Sequence, residues 1–101
     1  MNNTIAEVTI VPLGTESTSL SQYVADVENV LKKYTDLKSH LTPMSTVIEG
    51  NIDRILEAVR DMHETPFQKG AKRVSTRISL DDRRDKEASM NAKIESVTSK
   101  Q

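Results

Sequence analysis

Cysteine and tryptophan are absent from this 101-residue chain, and its aromatics are limited to Tyr23, Tyr34 and Phe67. Without cysteine there can be no disulfide, thiol nucleophile, thiolate metal site or redox switch. A net charge of -1 provides no surplus of cations to face phosphates, which argues against nucleic-acid partners. No apolar run approaches the roughly 20 residues needed to cross a bilayer. The start, Met1, Asn2, Asn3 and Thr4, lacks the basic-then-apolar pattern of a leader. The expectation is a cytoplasmic protein without a membrane partner. Catalytic signatures are also missing. There is no Gly-x-Ser-x-Gly elbow, and His40 and His63 stand apart with no ligand spacing around them, so neither an enzyme nor a metal site is expected.

What is present is ordinary globular composition, 36% hydrophobic and 29% charged, enough for one core and one domain over residues 1–101. Residues 5–13, IAEVTIVPL, alternate two faces and are rich in β-branched side chains, which predicts a strand. Ala6, Val8 and Ile10 form one face; Glu7, Thr9 and Val11 form the other. A helix follows over residues 17–37, because Leu20, Tyr23, Val24, Val27, Val30, Leu31, Tyr34 and Leu37 recur at spacings of three and four. Ser19 with Gln22 is a capping-box signature at its start. Two short β-like pieces, SHLT and STVIEG, then flank Pro43 and Met44. Asn51 can cap a second helix whose stripe is Ile52, Ile55, Leu56, Val59, Met62 and His63, with Pro66 marking its end. Residues 72–80, KRVSTRISL, alternate again, and Asp82 with Asp85 opens a polar third helix with the sparse stripe Met90, Ile94 and Val97.

The order β-α-β-β-α-β with an added C-terminal helix is the ferredoxin-like α+β pattern, an antiparallel sheet with two helices on one face. It leaves the second face of the sheet uncovered. RNA-recognition domains share this order but stack bases on aromatics of the first and third strands, where this chain has none. His63 ends an apolar stripe and reads as structural or partner-facing. FQKGAKR, residues 67–73, reads as a solvated connection in which Gly70 supplies an unusual backbone angle, with anion binding by Lys69, Lys72 and Arg73 as the functional alternative. DDRRDKE, residues 81–87, reads as a charged helix start, with an ionic contact between subunits as its alternative. The exposed sheet face carries Glu7, Thr9, Val11, Arg73, Ser75, Arg77 and Ser79, which suits solvent or an oligomer interface enclosing a small polar ligand.

Three separated motifs, IAEVTIVPLG, LTPMSTVIEG and MHETPFQKGAKRVSTRISLDDRRDK, together with the final helix, resemble the small thiamine-binding-protein family over nearly the whole chain. That family is related to bacterial proteins that bind thiamine or its hydroxymethylpyrimidine half. The resemblance implies a ferredoxin-like fold assembled into dimers or tetramers, with a small molecule as partner and no cofactor beyond it. The family pattern often has glycine where this chain has Ser45, so the turn here has its own geometry. An aminopyrimidine presents an amine donor and ring-nitrogen acceptors. It calls for a carboxylate, hydroxyls and an apolar cover. Glu7 and Glu49 are the acids on the central strands, Thr9, Thr42, Ser45, Thr46 and Ser75 supply hydroxyls, and Met44 can cover a ring face. Glu49 is the first choice for the pairing carboxylate, although alternation leaves its direction open.

The leading expectation is a non-enzymatic, oligomeric binding protein for thiamine or a related aminopyrimidine, held at the sheet face or a subunit interface. The rival from a different class is a structural or regulatory homo-oligomer with no small-molecule ligand. A small acid–base enzyme ranks third, because no nucleophile–base pair converges.

Overall fold

The computed structural model describes residues 3–14, 20–85 and 89–101. Its elements are β1 (Thr4–Leu13), α1 (Ser21–Leu31), β2 (Lys38–Leu41), β3 (Thr46–Gly50), α2 (Ile52–Gln68), β4 (Arg73–Asp82) and α3 (Met90–Thr98). The strands form one antiparallel sheet in the order β2-β3-β1-β4, with the first and third strands at its centre.

Register decides which side chains meet the helices. Ala6 lies opposite Ile48 and Leu80, and Val8 opposite Thr46 and Ile78. Directly opposed residues of an antiparallel pair share a face. Even-numbered positions of β1, β3 and β4 therefore turn toward α1 and α2, where Ala6, Val8 and Ile48 join Val27, Leu31, Ile55, Val59 and Met62 in the core. Odd-numbered positions, Glu7, Val47, Glu49 and Ser79 among them, turn to the other face. The direction of Glu49, which alternation left open, is thus away from α1 and α2.

α1 is shorter than its apolar periodicity. It ends at Leu31, and Tyr34 and Leu37 reach the core through two turns, Tyr34 N–H donating to Leu31 O and Leu37 N–H to Tyr34 O, both at 3.0 Å. Leu37 then packs on the end of β3, where a Cβ on Gly50 would come within 2.5 Å of the Leu37 side chain, at φ +158°. The angle favours glycine, and a Cβ there would also push the end of the Leu37 side chain aside. Of the expected capping box, Ser19 lies outside the described residues, and the Gln22 amide donates forward to Asp26 at 3.0 Å instead of back to the helix start. Across the α1–α2 seam the Tyr34 hydroxyl donates to Asp61, while Arg54 stacks 4.7 Å above the Tyr34 ring and forks onto Asp36 at 2.8 and 3.0 Å. The bond to Asp61, aided by burial, pushes the Tyr34 phenol up to about 12, and the Arg54 guanidinium holds Asp36 below the usual carboxylate range.

Asn51 caps α2 as expected, accepting from Asp53 N–H at 2.9 Å and Arg54 N–H at 3.4 Å. Pro66 does not end the helix, which continues to Gln68. The proline loses its own donor and crowds the preceding turn, and full burial of the Pro66 ring offsets that cost. His63 serves the structure: its Nδ1 lies 2.6 Å from Thr76 Oγ1, and its ring meets Phe67 edge-on. Gly70, at φ +102°, supplies the angle that lets the chain turn into β4.

The third helix departs furthest from expectation. Asp81 and Asp82 do not open it; they extend β4, opposite Ile5 and Thr4, and Arg83 N–H continues the ladder to Asn3 O at 2.9 Å. The helix starts at Met90, capped by Ser89. Its stripe is not buried either, with Ile94 63% and Val97 60% exposed. Nor is the second sheet face wholly bare. Met90 N–H donates to Glu49 Oε2 at 2.6 Å and Lys93 pairs with Asp81, so α3 is moored over one end of it.

Candidate ligand-binding site

The turn between β2 and β3 is built by one side chain. Thr42 Oγ1 donates to Ser45 O at 2.8 Å and accepts from Ser45 N–H at 3.0 Å and Met44 N–H at 3.3 Å. Pro43 follows Thr42 with its φ preset for such a turn. One donor and two acceptor sites exhaust the hydroxyl. Among the described residues no residue other than glycine has a positive φ, so Ser45 fits the turn without a left-handed backbone. Its hydroxyl is free to reach β1, where it donates to Glu7 Oε2 at 3.1 Å.

Behind this turn, between it and α1, lies a cleft of about 170 Å³. Val8 and Ile10 of the sheet, Val24 and Val27 of α1 and Met62 of α2 give it apolar walls, and Met44 and Leu41 stand at its mouth. Met44 is 84% exposed, so its thioether can swing over the opening. Thr9, Thr42 and Ser45 also line it, and its charged feature is a pair: Thr46 Oγ1 donates to Glu28 Oε1 at 2.6 Å. Thr46 is buried on the helix face, and among the described residues Glu28 Oε2 has no partner. A carboxylate with one oxygen engaged and one available, set in an apolar cleft, can accept from an amine or pair with a cation. The volume falls below the range for drug-sized ligands and suits a single substituted ring.

The eight residues expected at a site do not converge on one place. Thr42, Met44, Ser45 and Thr46 meet around the cleft, and Thr9 enters its lining from β1, although its register partner Arg77 puts its side chain on the other face. Glu7 stands on that other face, linked to the turn through Ser45. Glu49 lies further along β3, with Met90 N–H on one oxygen and Lys38 Nζ 3.9 Å from the other. Its carboxylate moors α3. Ser75 sits opposite Val11, past the stretch of β1 that β3 pairs. Glu28 is the residue that sequence reasoning passed over. The signal was available, because the spacing Val24, Val27, Glu28, Leu31 places a lone acid on the apolar stripe of α1.

A second cleft, of about 320 Å³, opens between α3 and the other sheet face. Ile5, Val47, Met90 and Ile94 make it largely apolar, with Lys38, His40 and Lys93 around it. Lys69, Lys72 and Tyr23 border a third, beside Gly70, where the anion-binding alternative for residues 67–73 would fall. Among the described residues no group of three or more His, Asp or Glu side chains is arranged to hold a metal ion, and no helix is long and apolar enough to cross a membrane.

Strand order, register and the two helices on one face define a ferredoxin-like α+β domain. The sequence profile described as thiamine-binding protein matches residues 6–98. The chain belongs to this thiamine-binding protein family. It is 51% identical over 96 residues to the UPF0045 protein YqgV of Bacillus subtilis, covering 92% of each. The crystal structure of MJ1052 from Methanocaldococcus jannaschii superposes with a TM-score of 0.86 at 38% identity, covering 97% of this chain and 98% of that one. TM0486 of Thermotoga maritima, a proposed thiamine biosynthesis/salvage protein, shares the fold with a TM-score of 0.76 at 17% identity, over 94% of this chain and 98% of that one.

Proposed function

We propose that this protein is a non-enzymatic, self-associating binding protein for thiamine or a related aminopyrimidine, and that the ring sits in the cleft between α1 and the β2–β3 turn. One observation carries the reading: the Glu28–Thr46 pair, at 2.6 Å, sets the one carboxylate of the lining against the apolar walls of a cleft sized for one ring, with the hydroxyl residues Thr9, Thr42 and Ser45 also lining it. Family membership supplies the ligand class. In this arrangement Glu28 Oε2 accepts from the exocyclic amine, and Thr46 fixes the carboxylate by holding its other oxygen. Val8, Val27 and Met62 face the ring, and Met44 closes over it. Ser45 and Thr42 keep the turn in place, with Glu7 anchoring Ser45 from the far side of the sheet. The small volume favours the pyrimidine half, hydroxymethylpyrimidine, over whole thiamine, whose thiazolium would remain at the mouth beside Leu41 and Met44.

Calorimetric titration of the parent and Glu28→Gln with hydroxymethylpyrimidine and with thiamine tests this. A hydrogen bond to a charged group contributes about 1.5–3 kcal/mol, so the variant should bind roughly 10- to 150-fold more weakly. Equal affinity in parent and variant moves the site elsewhere. Absence of saturable binding by the folded parent sinks the ligand class.

A further inference from the structure

We infer that the cleft between α3 and the open sheet face is a second binding site, for a small organic monoanion with an apolar body and one carboxylate. The inference stands apart from the aminopyrimidine reading. The two clefts lie on opposite faces of the sheet and share only Thr42, in the turn between β2 and β3.

Register lays this site out. Ile5 lies opposite Glu49, Lys38 opposite Glu49 and His40 opposite Val47, so all five share the face turned away from α1 and α2. Ile5 and Val47, both half-buried, form an apolar floor. Met90 and Ile94 stand over it from one side of α3, four positions apart, which puts them on neighbouring turns. The helix is held at its start, where Met90 N–H meets Glu49, yet Ile94 remains 63% exposed above the floor. Apolar surface thus faces apolar surface with a gap of about 320 Å³ between, at the lower end of the roughly 300–1,000 Å³ of small-molecule sites. A ligand that fills the gap takes both surfaces out of water.

The charge pattern identifies the occupant. Every titratable group in the lining is basic: Lys38 and His40 on β2, and Lys93 on α3. The acids of the same face, Glu7, Glu49 and Asp81, stand outside the lining, and each already accepts from a donor: Ser45 Oγ, Met90 N–H and Lys93 respectively. Lys38 Nζ reaches Glu49 Oε1 only at 3.9 Å, and Lys93 with Asp81 is an exposed pair. Such pairs are weak, so both ammonium groups can turn to a carboxylate placed between β2 and α3. A ring N–H of His40 adds a donor there. A phosphate monoester, with roughly 1.5–2 negative charges at neutral pH, would set more charge against the three neighbouring acids than a carboxylate does. A cation would meet Lys38 and Lys93. The first cleft, with Glu28 in its lining, has the opposite preference.

Naphthoate and its neutral isostere naphthamide are suitable probes, followed by calorimetry and by backbone amide NMR shifts. Naphthoate should bind saturably, move the resonances of Val47 and Ile94, and leave those of Val24 and Val27 in place. It should bind at least about five-fold more tightly than naphthamide. No saturation by naphthoate overturns the site, and equal affinity for the two probes overturns its charge preference. Replacing Lys38 and Lys93 together with glutamine should remove most of the difference between the probes. Ile94→Asp, at an exposed position, should weaken naphthoate at least about ten-fold by setting a charge against it, while Glu28→Gln should leave it unchanged. Weakening by Glu28→Gln would put the probe in the first cleft and refute the inference. Shifts of Val47 and Ile94 on dilution of the protein alone would show a second copy covering this cleft, and would refute it too.

Discussion

Replacing Ile48 and Val47, one at a time, with alanine tests the face assignment on which both the cleft and the direction of Glu49 depend. Ile48 is fully buried between Ala6 of β1 and Ser39 of β2, facing the helices, while its neighbour Val47 is half-buried on the other face. Ile48→Ala removes three carbons at about 0.8 kcal/mol each and leaves a cavity that a packed sheet cannot collapse, for a total of about 3–4 kcal/mol. Val47→Ala removes two carbons from a site still open to water, and should cost about 1 kcal/mol or less. At roughly 4–8 °C per kcal/mol for a domain of this size, Ile48→Ala should melt at least about 12 °C lower and Val47→Ala only a few degrees lower. Urea melts followed by circular dichroism, with equal slopes for parent and variants, give the two free energies directly. A one-residue slip of β3 would exchange the two roles. Equal costs, or a larger cost at Val47, would refute the assignment. Glu49 would then face α1 and Thr46 would leave Glu28.

Tyr34 provides a pH signature. Its phenol is pushed up from 10.0 to about 12 in the fold, so its contribution to stability is complete below pH 10 and is lost as pH rises through about 12. Ultraviolet absorbance should show a phenolate step near pH 12 that Tyr34→Phe abolishes; an unchanged titration curve in the variant would disprove the Asp61 bond as its cause. At the close of β3, Gly50→Ala should destabilise by about 1–3 kcal/mol, from the backbone angle and the contact with Leu37, and a melting temperature within a degree of the parent would contradict both.

How far the sequence reached can be judged from individual residues. Alternation in residues 5–13 and 72–80 and the three-four spacing around Val27 and Ile55 are local properties, because strand and helix periods are fixed by the backbone. They specified the β-α-β-β-α-β order and which residues of β1 enter the core; on β4 they gave the face turned to the helices but not burial, since Ile78 and Leu80 stay exposed. Asn51 was legible for the same reason, since a cap acts only on the next turn. Boundaries were less so. Pro66 and the Asp81–Asp82 pair carry local signals for stopping a strand or helix, and both were overruled by burial and by ladder bonds to distant residues. The candidate site was half legible: its hydroxyls lie on one contiguous stretch, Thr42 to Thr46, whereas its carboxylate does not.

By itself, then, the sequence determined that thiol chemistry is absent, the order of elements and the family. Tertiary structure alone decided that Thr46 meets Glu28, 18 positions away, across the sheet–helix seam. It likewise gave Glu49 to α3 and, among the described residues, left the outer edge of β4 without a strand partner. Each of these depends on register and on which elements pack together. Side-chain periodicity gives two faces to a strand but does not say what will stand against either one.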